Sequence, residues 1–235
     1  MTPPTATSAA AGLLFVSGLE REAAILAGLG AIAICGDAPT LRAKLAQLED
    51  LPLRLVVSFG ICGGLDRSLR PGDLIIGTEV VSAGDSIGAD EFVIRLLDRR
   101  LADAGERAVL GRIAGVDAPV LSVEAKTRLR AATGAVAVDM ESQIAGRFAA
   151  DRGAPFAMLR AVSDPADRDL PSLVLKAVAS DGRTNIAAVI SGLVGSPNQL
   201  PGLIAAARDS GAAFRALSRC RRLPGLFLGL GRADL

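Results

Sequence analysis

Residues 135–164 read AVAVDMESQIAGRFAADRGAPFAMLRAVSD. Two apolar runs, Ala135-Val136-Ala137-Val138 and Pro155 to Val162, flank a segment in which Met140, Ile144 and Phe148 recur at helical spacing. Gly153 supplies a natural stop for that helix. Strand, helix, strand in so short a span is the repeating unit of an α/β sheet. Each strand also ends in an acidic motif, Val138-Asp139-Met140-Glu141-Ser142 and Arg160-Ala161-Val162-Ser163-Asp164. Ligands of open α/β sheets bind beyond the carboxyl ends of strands. Two acids delivered there by separate strands read as an active site. Each has a plainer reading as well. Glu141 falls in a first helical turn, where the dipole favours an anion, and Asp164 precedes Pro165, which suits a turn.

The same alternation extends outward. Leu13–Ser17, Ala31–Cys35, Arg54–Phe59, Asp73–Ser82 and Arg112–Leu121 read as strands, with helices near 20–29, 41–48, 91–104 and 124–132. After Pro171 the pattern is helical. The prediction is a single α/β domain over residues 12–235, with a central mixed β-sheet flanked by helices and a helical C-terminus. Residues 1–11 are rich in Pro, Thr, Ser and Ala and carry no Lys or Arg. They read as a disordered leader without the basic start of a signal peptide.

Composition limits the chemistry. The 235 residues include no His, Trp or Tyr, and seven Phe. A general acid or base acting near neutral pH must then be a carboxylate, a thiol or a lysine. A net charge of +1 and few aromatics argue against nucleic-acid binding. Three scattered cysteines, Cys35, Cys62 and Cys220, suit neither a disulfide framework nor a metal site, and with no export signal they point to a reducing cytoplasm. No run approaches the ~18 apolar residues of a membrane span.

Glu20 and Glu22 open a helix after the first strand, and the third strand ends in Gly60-Ile61-Cys62-Gly63-Gly64. Together with the two acidic motifs, these residues resemble the nucleoside phosphorylase/nucleosidase superfamily. The resemblance spans roughly residues 13–195 and rests on GLERE at 18–22, GICGGL at 60–65, VDMES at 138–142 and RAVSD at 160–164. Within it, TGAVAVDMES at 133–142 and the basic helical C-terminus look most like the hopanoid-associated branch, whose members remove adenine from adenosylhopane.

The resemblance implies that Glu141 accepts hydrogen bonds from the ribose hydroxyls and that Met140 packs on the sugar. It makes Asp164 the acid at purine N7, with Ser163 supporting it and the Cys62-Gly63 backbone lying against the nucleoside. Glu22 would activate water, with Arg160 orienting both. It further implies that no metal or cofactor is needed and that the chain works as a homodimer. The segment Ser122–Lys126 is expected to border the base. The phosphorylases of this superfamily carry a Gly-Asp-Pro-x-Arg loop, a second Arg and a hydroxyl residue that hold phosphate. This chain has Gly18-Leu19-Glu20-Arg21-Glu22, Ser58 and Ile61 in those places. Water is therefore the expected nucleophile, although related hydrolases often carry Ser where Ile61 stands. A methylthioadenosine/S-adenosylhomocysteine or futalosine-type nucleosidase, a phosphorylase, and a catalytically dead membrane-associated scaffold remain alternatives.

From Arg183 onward the chain holds seven Arg against two Asp. Arg208, Arg215, Arg219 and Arg222 share one side of a helix, and the apolar run Leu223–Leu230 follows. This pattern fits peripheral contact with an anionic membrane at its inner face, or a terminal helix packed on its own domain.

Overall fold

The protein is described by a computed structural model covering residues 12–48, 50–82, 84–176, 179–183, 185, 191, 195–223 and 226–227. The expected leader lies outside these residues. The strands are β1 (Leu13–Ser17), β2 (Ile32–Cys35), β3 (Leu55–Gly64), β4 (Leu74–Ser82), β5 (Asp85–Gly88), β6 (Ala108–Gly115), β7 (Ala137–Asp139) and β8 (Phe156–Asp164). The helices are α1 (Glu20–Ile25), α2 (Ala38–Ala46), α3 (Glu91–Asp103), α4 (Val123–Thr133), α5 (Ser142–Asp151) and α6 (Leu200–Arg222).

All eight strands join one mixed sheet, as the alternating pattern predicts, and part of it closes on itself. β3 pairs with β8, β8 with β4, β4 with β6, β6 with β7, and β7 again with the end of β3. β1 and β2 extend the sheet in parallel from the first half of β3. Every residue of β8 is buried, because neighbouring strands cover both of its edges and helices or strands cover both faces. That explains its continuous apolar run, including the otherwise costly Arg160.

One apolar layer, with Phe15, Phe59, Leu97 and Leu217, lies under α3 and α6. The other, with Leu14, Val56, Met158 and Ala145, lies under α2 and α5. Caps fix several helix starts. Asp37 Oδ1 accepts from Thr40 N at 3.0 Å, Asp90 from Phe92 N and Val93 N, and Ser122 Oγ from Ala125 N at 3.1 Å.

The glycine-rich segment does end the third strand as expected, since β3 runs through Gly64 and its last residues pair with β7 and β8. The structure corrects several other expectations. β6 begins four residues earlier than expected and ends at Gly115. Met140 precedes α5 rather than sharing its buried face. The C-terminal apolar run is not a free membrane anchor where it is described. Leu226 and Phe227 are core residues, and the Phe227 ring meets Phe15 and Phe59 edge-on at 5.1 and 5.9 Å. Burial there removes apolar surface from water as effectively as lipid would. Of the rest of that run, Pro224, Gly225 and Leu228–Leu230 lie outside the described residues. Arg208, Arg215 and Arg222 are exposed, while Arg219 is held by Glu106 at 2.6 Å.

Candidate active site

The ends of β3, β7 and β8 converge on a recess of about 210 Å³ lined by Ile61, Cys62, Gly63, Asp139, Met140, Glu141, Ser163 and Asp164, with Val116, Val120 and Leu170 among its apolar walls. Six of the eight residues singled out from sequence (Cys62, Gly63, Met140, Glu141, Ser163 and Asp164) therefore share one surface. The other two, Glu22 and Arg160, do not line it. They lie behind it, fixed to the backbone of Ile61, which does.

Glu22 is 1% exposed. Its Oε2 accepts from Gly18 N at 2.9 Å and Leu19 N at 2.8 Å, and its Oε1 from Ile61 N at 2.7 Å. Burial pushes its carboxyl above the usual carboxylate range, against the opposing pull of Arg160 and these three N–H donors. Gly60 makes this position possible. A Cβ there would stand 2.5 Å from Glu22 Cδ and 2.8 Å from Arg160 Nη1, so any side chain would displace one of the two.

Arg160, wholly buried, organises three acids. Its Nε makes an ion-pair contact of 2.7 Å with Asp139 Oδ2 that is not aligned as a hydrogen bond, and its Nη1 lies 3.3 Å from Glu141 Oε2. Nη1 also donates to Ile61 O at 3.3 Å, and Nη2 to Ser58 Oγ and Ser142 Oγ. Burial disfavours its charge, but Asp139, Glu141 and Glu22 more than offset that and hold its pKa above the ordinary value. Glu22 feels the same guanidinium at longer range. Asp139 in turn accepts from Ser142 N at 2.9 Å, which fixes the start of α5.

Glu141 stands at the N-cap position of α5 yet makes no cap hydrogen bond. It therefore does not serve as the helix-capping acid of the plainer reading. Its carboxylate fits beside Gly18, where a Cβ would lie 2.9 Å from Glu141 Cδ. Burial first, then Asp139 and Glu22, push its pKa up to about 8, with Arg160 opposing. One guanidinium thus faces three acids, and the cluster retains a proton near neutrality rather than three full negative charges.

Asp164 occupies the far side of the recess. Cys62 pairs with Val162 but Gly63 pairs with Asp164, so Ser163 is an extra residue in β8. Such a bulge re-aims the side chains beside it. Ser163 Oγ donates to Cys62 O and Asp164 Oδ1, both at 3.1 Å. Asp164 Oδ2 pairs at 2.7 Å with Lys126 Nζ, which is completely buried. Cys62 is no thiolate nucleophile, because burial pushes its thiol well above the usual range. Among the described residues no cluster of side chains is arranged to hold a metal ion.

Four participants are named by the sequence reading without the part they play here: Asp139, Ser58, Ser142 and Lys126. Asp139 and Ser142 stand in the very motif that singles out Glu141, and Asp139-x-x-Ser142 carries the spacing of a helix start. Ser58 is a polar residue in a buried strand, which requires a partner. Lys126 falls in the segment expected to border the base, but its partners Asp164, Pro165 and Arg168 have no local signature.

Comparison with known proteins agrees with this architecture. The 5′-methylthioadenosine/S-adenosyl homocysteine nucleosidase of Helicobacter pylori superposes with a TM-score of 0.64 at 16% identity, covering 89% of this chain and 97% of that one. Futalosine hydrolase of Helicobacter pylori gives 0.64 at 16%, with 88% and 96% covered. The corresponding nucleosidase of Campylobacter jejuni gives 0.61 at 14%, with 89% and 99% covered. At such identities the likeness establishes the fold. Residues 3–195 also match the model of the phosphorylase superfamily, and over that span, most of the sequence, the chain is a member of the superfamily.

Proposed function

We propose that this protein is an N-ribosyl hydrolase that releases adenine from an adenine nucleoside, with water as the nucleophile. The observation that carries the reading is the division of charge around one recess. On one side a single buried guanidinium serves three carboxylates, and on the other a carboxylate is tied to an ammonium. Heterolysis of a glycosidic bond leaves positive charge on the sugar and negative charge on the departing base. The acid-rich side, with Glu141 exposed to the recess and Met140 beside it, suits the sugar. Asp164 suits the base, which leaves more easily when N7 gains a proton.

Glu22 would take the proton of the attacking water, which requires a path past Ile61. A phosphate dianion would meet acids where phosphorylases present arginines, and Ser58, standing in place of one such arginine, is occupied by Arg160. Hydrolysis therefore fits better than phosphorolysis. The recess is smaller than the ~300–1,000 Å³ of typical ligand clefts, which suits a nucleoside head whose 5′ substituent projects outward. For that substituent we favour the hopane of adenosylhopane, on the resemblance of residues 133–142 and the basic C-terminal helix. Peripheral contact with an anionic membrane would then rest on Arg208, Arg215 and Arg222. The second reading is a small soluble substrate of the methylthioadenosine or futalosine kind, supported by the shape shared with those nucleosidases.

Incubation with adenosylhopane and with methylthioadenosine, each with and without phosphate, tests both readings. The expected result is adenine and a sugar with a free anomeric hydroxyl, at a rate indifferent to phosphate. A rate that saturates in phosphate, with a sugar 1-phosphate as product, would overturn hydrolysis. Release of no base would overturn the enzyme.

A further inference from the structure

Lys126 belongs to α4, at the end of the segment Ser122–Lys126 expected to border the base, and its ammonium is entirely buried with all three of its donors used. They reach Asp164 Oδ2 at 2.7 Å, Pro165 O at 2.8 Å and Arg168 O at 3.0 Å. A buried ion pair contributes little to stability compared with apolar residues of the same volume, because both charges must leave water. A methionine would fill the same space with less desolvation. The pair also lies where chemistry would need a proton, at the end of the recess opposite the acid cluster.

Resting on the function proposed above, we infer that Lys126 is a positioning residue and the proton reserve for the leaving base, acting through Asp164. The C1′–N9 bond breaks with its electron pair passing to the purine. The Lys126 ammonium passes a proton to Asp164 Oδ2, and Asp164 delivers that proton to N7 and is a carboxylate again. The water oxygen bonds to C1′, and its proton passes to Glu22. Solvent then returns a proton from Glu22 to Lys126, so charge and atoms balance over the cycle. The two carbonyl contacts hold Lys126 in line throughout. They also join α4 to the turn after β8, as do the bonds Val123 N to Asp169 Oδ1 (2.6 Å) and Leu170 N to Leu121 O (2.8 Å). In a chain without histidine, such a relay lets a buried ammonium supply the proton.

The test compares two leaving groups. Adenine needs a proton to leave, whereas the nitrophenolate of p-nitrophenyl riboside does not. Lys126→Gln, which keeps hydrogen bonding but loses the charge, should lower kcat for the adenine nucleoside by ~10²-fold or more, as loss of general acid catalysis does. Its action on the riboside should be far less affected, and Lys126→Arg, which keeps the charge but does not give up its proton, should release adenine no faster than Lys126→Gln. Equal losses on both substrates would reduce Lys126 to a clamp on the turn. Adenine release near the unaltered rate by Lys126→Gln or by Lys126→Arg would also overturn the relay, and this decides even if the riboside is not a substrate. If the unaltered protein releases no adenine, the failure belongs to the proposed function and not to the relay.

Discussion

Replacing Arg160 by Met tests the acid cluster directly. The substitution keeps most of the apolar bulk and removes the one cation that faces Asp139, Glu141 and Glu22. Removing one partner of a buried ion pair costs about 3–5 kcal/mol, because the other charge stays buried without compensation. The cost should also depend on pH, with a definite sign. In the unaltered protein the Glu141 pKa is raised to about 8, above the ordinary 4.5. A raised carboxyl contributes stability that is fully present below the ordinary value and is lost as pH climbs to the folded one. Without Arg160 the folded value rises further, so the loss continues above pH 8 in the variant after it has ended in the parent. The gap between the two proteins should widen there by up to ~1.4 kcal/mol per pH unit. Urea unfolding of both proteins at about pH 6.5, 8 and 9 measures it. A gap under ~1 kcal/mol, or one constant over that range, would refute the electrostatic account of the cluster.

Asp164→Asn should keep the fold and lose ~10²–10⁴-fold in adenine release, since an amide cannot pass on a proton; unchanged turnover in the folded variant would remove Asp164 from the mechanism. Glu141→Gln should lower kcat far more than it raises KM, because an anionic acceptor matters most when the sugar is cationic; a change confined to KM would make Glu141 a binding group only. For the unaltered enzyme, kcat/KM should rise with pH through about 8 as Glu141 ionises, and a profile falling there would contradict the need for its anion. Phe227→Ala should cost about 3–5 kcal/mol in thermal or urea unfolding, as a truncated core aromatic does; a loss below ~1 kcal/mol would mean that the C-terminal residues are not part of the core.

The order of strands and helices was legible from periodicity, because most strands here are apolar runs closed by a turn or a polar motif. The residues that depend on distant partners were not. β5 is four residues long and without a buried residue, so neither burial nor period marks it. The acids at 22, 141 and 164 stood out through their motifs. Which of them would share a cation, and which would meet Lys126, depended on the closure of the sheet and on α4 packing beneath the turn after β8. No local pattern records either contact.

The packing of Phe227 against Phe15 and Phe59 also bears on how the protein folds. A ring far along the sequence covers the face of β1 and β3 that carries Phe15 and Phe59, and β3 also carries Ser58 and the glycine that admits Glu22. Long-range closure of this kind is slow and leaves partly folded chains prone to aggregation. The acid cluster is therefore sealed only when this distant segment docks, and not by any local folding event. Loss of the Phe227 ring should slow refolding and lengthen the time for which β1 and β3 remain open to protease.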